Sequence, residues 1–142
     1  MESGVCPPLN GSAALQWIVP QTKSGATLTC TLKSSTDFSP VATADEIQVC
    51  EWPGQPDVYV NVERYSDRNV ADAACHRVED WVVDGVKFGA AGSTGSDNYG
   101  ERWWCYDDSP LVINLSGPLA SIQSLASELV FRTPAQLRDG HL

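Results

Sequence analysis

The chain has 142 residues, 42% of them hydrophobic, with 18 acidic against 9 basic side chains and a formal charge of −9. That length suits one domain around a single core, and no apolar run reaches the length of a membrane span. The acidic field, uninterrupted by any Lys/Arg cluster, argues against nucleic acid and anionic membrane surfaces as partners.

Residues 1–25 are rich in Gly, Pro and Ser around one apolar patch, "ALQWIV", which suits a short strand or a single helical turn equally. They are expected to form an irregular N-terminal segment of a single domain whose sheet-and-helix core spans 26–137. "ATLTCTLK" (26–33) and "DEIQVCEW" (45–52) alternate and are rich in β-branched residues, so both read as strands. "DVYVNVERY" (57–65) is a third, and "PGQP" before it forces the turn of an antiparallel hairpin.

From Ser66 the period changes. Val70, Ala71, Ala74, Cys75, Val78, Trp81 and Val82 fall on one arc of a 3.6-residue wheel, which predicts an amphipathic helix over 67–83. Ser66 or Asp67 would cap it, and Gly85 follows its end. "GVKFGAAG" reads as a strand leading into the loop "STGSDNYG", after which "ERWWCYD" and "PLVINL" form a second hairpin about "DDSP". A second helix is expected over 118–131, with Pro118 in its first turn, Leu119, Ile122, Leu125, Ala126, Leu129 and Val130 on one face, and Pro134 ending it.

The fold class is therefore α+β: a curved antiparallel sheet with two amphipathic helices packed on one face. The chain also reads as a degenerate ββα repeat. "VCEWPGQPDVYVNVERY" and "WCYDDSPLVINL" each run cysteine-bearing strand, Pro-containing turn and strand before a helix.

Five cysteines and a single Met suit an exported domain held by disulfides, and two bridges with one spare thiol is the simplest count. The preferred pairing joins Cys30 to Cys50, across successive strands, and Cys75 to Cys105, from the first helix to the tryptophan strand. Three pairings exist among these four, and Cys6 can displace one member. No C-x-x-C or H-x₃₋₅-H pair supports zinc, and no cofactor is implied. Met1 is followed by neither a charged nor an apolar leader pattern, so an exported protein is expected to carry its signal peptide or anchor outside this stretch.

Catalytic motifs are not legible. There is no G-x-S-x-G elbow, and Cys75 and His76, adjacent on a helix, would point about 100° apart. Neither nucleotide-binding glycine motif is present, and Asp107 and Asp108 read as turn formers. The most prominent candidate surface is the pair Trp103 and Trp104. Consecutive strand residues face opposite sides, so one is expected in the core and the other exposed for binding, beside Asp97, Asn98 and Tyr99 of the preceding loop region; the alternative is that the far side of the sheet is itself covered, by the N-terminal segment with Trp17.

Taken together, "CEW", the strand "DVYVNV", a helix, "VDGVKFGAAG", the "WWCYD" strand and a final helix ending "ELVFRTPAQL" resemble small extracytoplasmic actinobacterial domains. These are lipoprotein domains with a Cys-x-Trp strand and the ectodomains of receptor Ser/Thr kinases. Cys50, Trp52, Gly85, Gly89 and the terminal helix carry the resemblance over residues 45–137. It implies an exported sheet-and-helix domain with a sensing or ligand-holding role and no chemistry of its own. Val5 before Cys6 departs from a lipoprotein attachment box. The expected function is non-enzymatic binding of a protein partner or small ligand, at an extracellular or cell-surface location and without membrane insertion of this stretch. The alternatives are a small secreted hydrolase acting on cell-wall or carbohydrate material, and a structural or accessory subunit.

Overall fold

A computed structural model of the chain describes residues 18–34, 46–65, 79–96, 98–107 and 111–133. In chain order these form β1 (Gln21–Thr22), β2 (Thr29–Ser34), β3 (Glu46–Glu51), β4 (Tyr59–Arg64), β5 (Glu79–Val83), β6 (Val86–Gly95), β7 (Tyr99–Tyr106) and β8 (Leu111–Pro118). Helix α1 (Leu119–Leu125), a 3₁₀ turn (Ala126–Glu128) and β9 (Leu129–Val130) follow. Seven strands form one antiparallel sheet in the order β2-β3-β4-β8-β7-β6-β5, and β1 pairs with β9 separately.

The hairpins read from the sequence are present. In β3–β4 the turn is closed by Gln55 N–H donating to the Trp52 carbonyl (3.1 Å) and Val58 N–H to the Gln55 carbonyl (3.3 Å). Cys30 and Cys50 lie directly opposite each other on β2 and β3 and are disulfide-bonded, with Cα atoms 4.0 Å apart. Closing a loop of sequence separation 20 is worth about 3 kcal/mol in the chain-entropy account.

Two amphipathic helices are not observed among the described residues. Glu79–Val83, assigned to the end of the first helix, is instead the edge strand β5, and residues 66–78 lie outside the described residues. Local turn chemistry decides the difference. Val83 pairs with Val86, and the two residues between them, Asp84 and Gly85, have φ of 50° and 82°. That is the pattern a two-residue hairpin loop needs in order to match the twist of its strands. Gly85 turns a hairpin rather than ending a helix.

The second helix is also shorter than its periodicity implies. It stops at Leu125, and Leu129 and Val130 leave the helical path to pair with Thr22 and Gln21.

A bulge shapes the β5–β6 edge. Trp81 pairs with Gly89 but Val82 with Lys87, so Phe88 has no partner across the ladder. The extra residue brings the Phe88 ring onto the side of Trp81, and the ring centroids lie 5.0 Å apart.

Both faces of the sheet are buried, which corrects the expectation of a single covered face. On the first face Val60, Val62, Trp104, Tyr106, Leu111, Ile113 and Leu115 pack with Trp81 and Phe88 beneath Ile18, Ile122, Leu129 and the half-buried Phe131. On the second, Ile47, Tyr65, Trp103, Cys105 and Val112 form their own cluster. This is why β8 is buried from Leu111 to Gly117 without alternation. The two hairpins meet at the centre of the sheet, where Asn61 of β4 stands opposite Asn114 of β8. The cysteines of β3 and β7 are not equivalent, because Cys50 belongs to the first cluster and Cys105 to the second.

Cys105 is also disulfide-bonded. With Cys30 and Cys50 joined to each other, its partner is Cys6 or Cys75. Both lie outside the described residues. Tyr65, ten positions before Cys75, packs in the cluster of Cys105, whereas Ile18, the first described residue after Cys6, packs on the other face. Non-reducing peptide mapping is therefore expected to recover a Cys75–Cys105 peptide, with Cys6 as the free thiol. A Cys6–Cys105 peptide would refute that pairing.

One acid is placed at a cost on the second face. Glu63 accepts a hydrogen bond from the Tyr65 hydroxyl at 2.6 Å. Burial raises the Glu63 pKa above 4.5, with the Tyr65 hydrogen bond opposing and Glu101 adding repulsion. The folded state thus holds the Glu63 proton more tightly than the unfolded chain does. Its contribution to stability is greatest at low pH and declines as pH rises above about 4.5 through the raised value. Melts of Glu63→Gln should show a shallower loss of stability with rising pH than the parent and a higher Tm at neutral pH. Parallel pH profiles would refute it.

Candidate ligand-binding groove

Between the β5–β6–β7 end of the first sheet face and the layer made by α1, the 3₁₀ turn and β9 runs an open groove of about 1180 Å³. Its floor is aromatic, formed by Trp81, Phe88 and Trp104, with Phe131 beside them. These rings hold one another. Trp81 meets Phe131 edge-on at 4.9 Å between centroids, and Phe131 leans on Trp104 at 5.0 Å. Behind them the Tyr106 ring lies 4.9 Å from Trp81, and its hydroxyl donates to the Arg132 carbonyl at 2.6 Å. Burial pushes the Tyr106 pKa upward despite the nearby Arg132, so that hydroxyl remains a neutral donor.

The rim is apolar as well. Val83, Val86 and Val130 line the groove and are exposed, and Val82 beside them is 53% exposed. Of the five large hydrophobic residues that are exposed among the described residues, three line the groove, and Val82 and Tyr99 do not. Scattered surface valines need no explanation, but a cluster continuous with a concave aromatic floor makes this groove the candidate site.

Four charged residues line the groove: Lys23, Asp84, Glu101 and Arg102. Arg102 is committed within the fold. Its Nη2 lies 3.0 Å from Glu79 Oε1, and its guanidinium sits 5.4 Å from the centroid of the Trp104 ring. Glu101 is engaged within the protein too. Lys23 is exposed on the β1 side, where its backbone N–H donates to the Glu128 carbonyl at 2.8 Å. No carboxylate among the described residues pairs with its ammonium. Asp84 stands on the other wall, at the β5–β6 turn.

The sequence-derived site is only partly here. Trp104 is in the groove floor, but Trp103 is buried on the opposite face, so neither tryptophan offers an exposed ring. The "STGSDNYG" loop is mostly strand: Ser93, Thr94 and Gly95 belong to β6 and Tyr99 to β7. The connection is short, with Ser96 N–H donating to the Tyr99 carbonyl at 2.9 Å. Asn98 is exposed, and its carbonyl accepts from the Leu119 N–H at 3.2 Å. Tyr99 is half exposed, and Asp97 lies outside the described residues. Neither Asn98 nor Tyr99 lines the groove.

Trp81, Phe88, Phe131, Arg102 and Lys23 were not legible as site residues. The dipeptide Asp84-Gly85 was the available signal. Read as a hairpin turn, it would have placed Trp81 and Phe88 on paired strands.

No known protein family, no curated protein and no solved structure matches this chain.

Proposed function

We propose that the chain is an exported, non-enzymatic binding or sensor domain that holds a small apolar ligand in the aromatic groove. The observation that carries this reading is the groove itself, an aromatic floor continuous with an exposed valine rim. Two further features support it. The Cys30–Cys50 bridge suits an oxidising compartment. The resemblance to extracytoplasmic actinobacterial domains also implies a ligand-holding role.

The test is a titration of the full chain with 1-decanol, a neutral apolar probe, followed by calorimetry and tryptophan fluorescence. Saturable binding is expected, and it should be abolished by Ser127→Trp, which fills the groove from an exposed position on its wall. A native melt for that variant would show that the fold is intact. Absence of saturable binding, or binding untouched by Ser127→Trp, would overturn the reading.

A further inference from the structure

We infer that the natural ligand class is the long-chain aliphatic carboxylate, with its chain on the aromatic floor and its head group at the Lys23 ammonium. The inference rests on the groove being the binding site and adds the identity of its occupant. At about 1180 Å³ the groove exceeds the roughly 300–1,000 Å³ of sites for compact small molecules. Its lining runs from Lys23 on the β1 side to Asp84 at the β5–β6 turn, an arrangement that suits an extended chain. Trp81, Phe88, Trp104, Ile122 and Phe131 offer such a chain van der Waals contact along one side, and no buried charge stands among them.

Charge then places the head group. Of the four charged residues on the groove, Arg102 is paired with Glu79 and stacked on Trp104, and Glu101 is engaged within the protein. Lys23 is left as the cation with no carboxylate partner among the described residues. Asp84, on the β5–β6 wall, repels an anion from that side and so favours the orientation with the carboxylate at Lys23. In a chain of net charge −9 a cation beside an apolar groove, with no carboxylate partner among the described residues, is a local exception to the field.

The pair would be solvent-exposed, so the head group contributes selectivity more than affinity. Lys23→Gln should weaken decanoate binding by about two- to fivefold, the range expected of an exposed ion pair, and leave 1-decanol unchanged. Raising salt from about 0.02 M to 0.3 M should weaken decanoate binding to the parent and have little effect on the variant. Lys23→Arg should retain the parent behaviour. If Lys23→Gln leaves decanoate unchanged or weakens both probes equally, the head-group assignment fails. If 1-decanol binds and decanoate does not, the assignment fails while the groove reading survives. If neither binds, both fail.

Discussion

Replacing Gly89 by alanine should leave almost no folded protein. A Cβ at that position would lie 1.8 Å from the Cys105 carbonyl oxygen, 2.8 Å from the carbonyl carbon and 3.0 Å from the Asp107 nitrogen. All three are backbone atoms of β7 or its end, so no side chain can swing aside. Relief requires separating β6 from β7 where the bulge at Phe88 has already turned the strand. Overpacking a core ordinarily costs about 1–3 kcal/mol, with larger values where nothing can relax. Here we expect upward of about 4 kcal/mol, a large part of the roughly 5–15 kcal/mol that holds a domain folded. Gly95→Ala is the control on the same strand. Its Cβ would stand 3.4 Å from Leu119 Cδ1 and from the Tyr99 carbonyl oxygen, an ordinary contact distance, and the cost should be below about 1 kcal/mol. Soluble yield and denaturant midpoints of the two variants test the point. A Gly89→Ala protein melting within a few degrees of its Gly95→Ala counterpart would contradict the close approach.

Trp103→Ala and Trp104→Ala should each destabilise the fold by about 3–5 kcal/mol, the usual cost of emptying a buried tryptophan site. Sequence alternation alone led to a different expectation, that one of them would be dispensable. The two residues do face opposite sides: Trp104 belongs to the cluster with Tyr106 and Ile113, and Trp103 to the cluster with Tyr65 and Val112. Both clusters exclude water, leaving Trp103 8% exposed and Trp104 3%. The two variants should differ in function instead. Trp104 lines the groove and Trp103 does not. Below their melting points, Trp104→Ala should therefore lose 1-decanol binding while Trp103→Ala retains it. Chemical denaturation and titration of both variants decide this. A Trp103→Ala protein as stable as the parent would mean that the second face is not a core.

What the sequence determined by itself is the local geometry. Period-two alternation set the strand "DVYVNVERY" and sent Trp103 and Trp104 to opposite faces, because successive strand side chains must alternate. Proline and glycine spacing located the β3–β4 turn, and the facing cysteines of successive strands anticipated the Cys30–Cys50 bridge. Asp84-Gly85 was legible in principle. It was outweighed by a helical arc through Trp81 and Val82, since a short apolar run fits either period until its turn is recognised.

Only the tertiary structure decided what covers each face. Alternation states that a side chain points away from its neighbour and not whether another layer waits there, so the burial of Trp103 had no local signature. The same holds for the truncated second helix, whose last turn was given up to β1, more than a hundred residues earlier in the chain. The groove is the extreme case. It draws on residues from Lys23 to Thr133. Its aromatic floor exists because a bulge at Phe88, an edge strand at Trp81 and the chain leaving β9 at Phe131 converge on Trp104. A concavity is a property of the space between elements, and sequence patterns describe the elements one at a time.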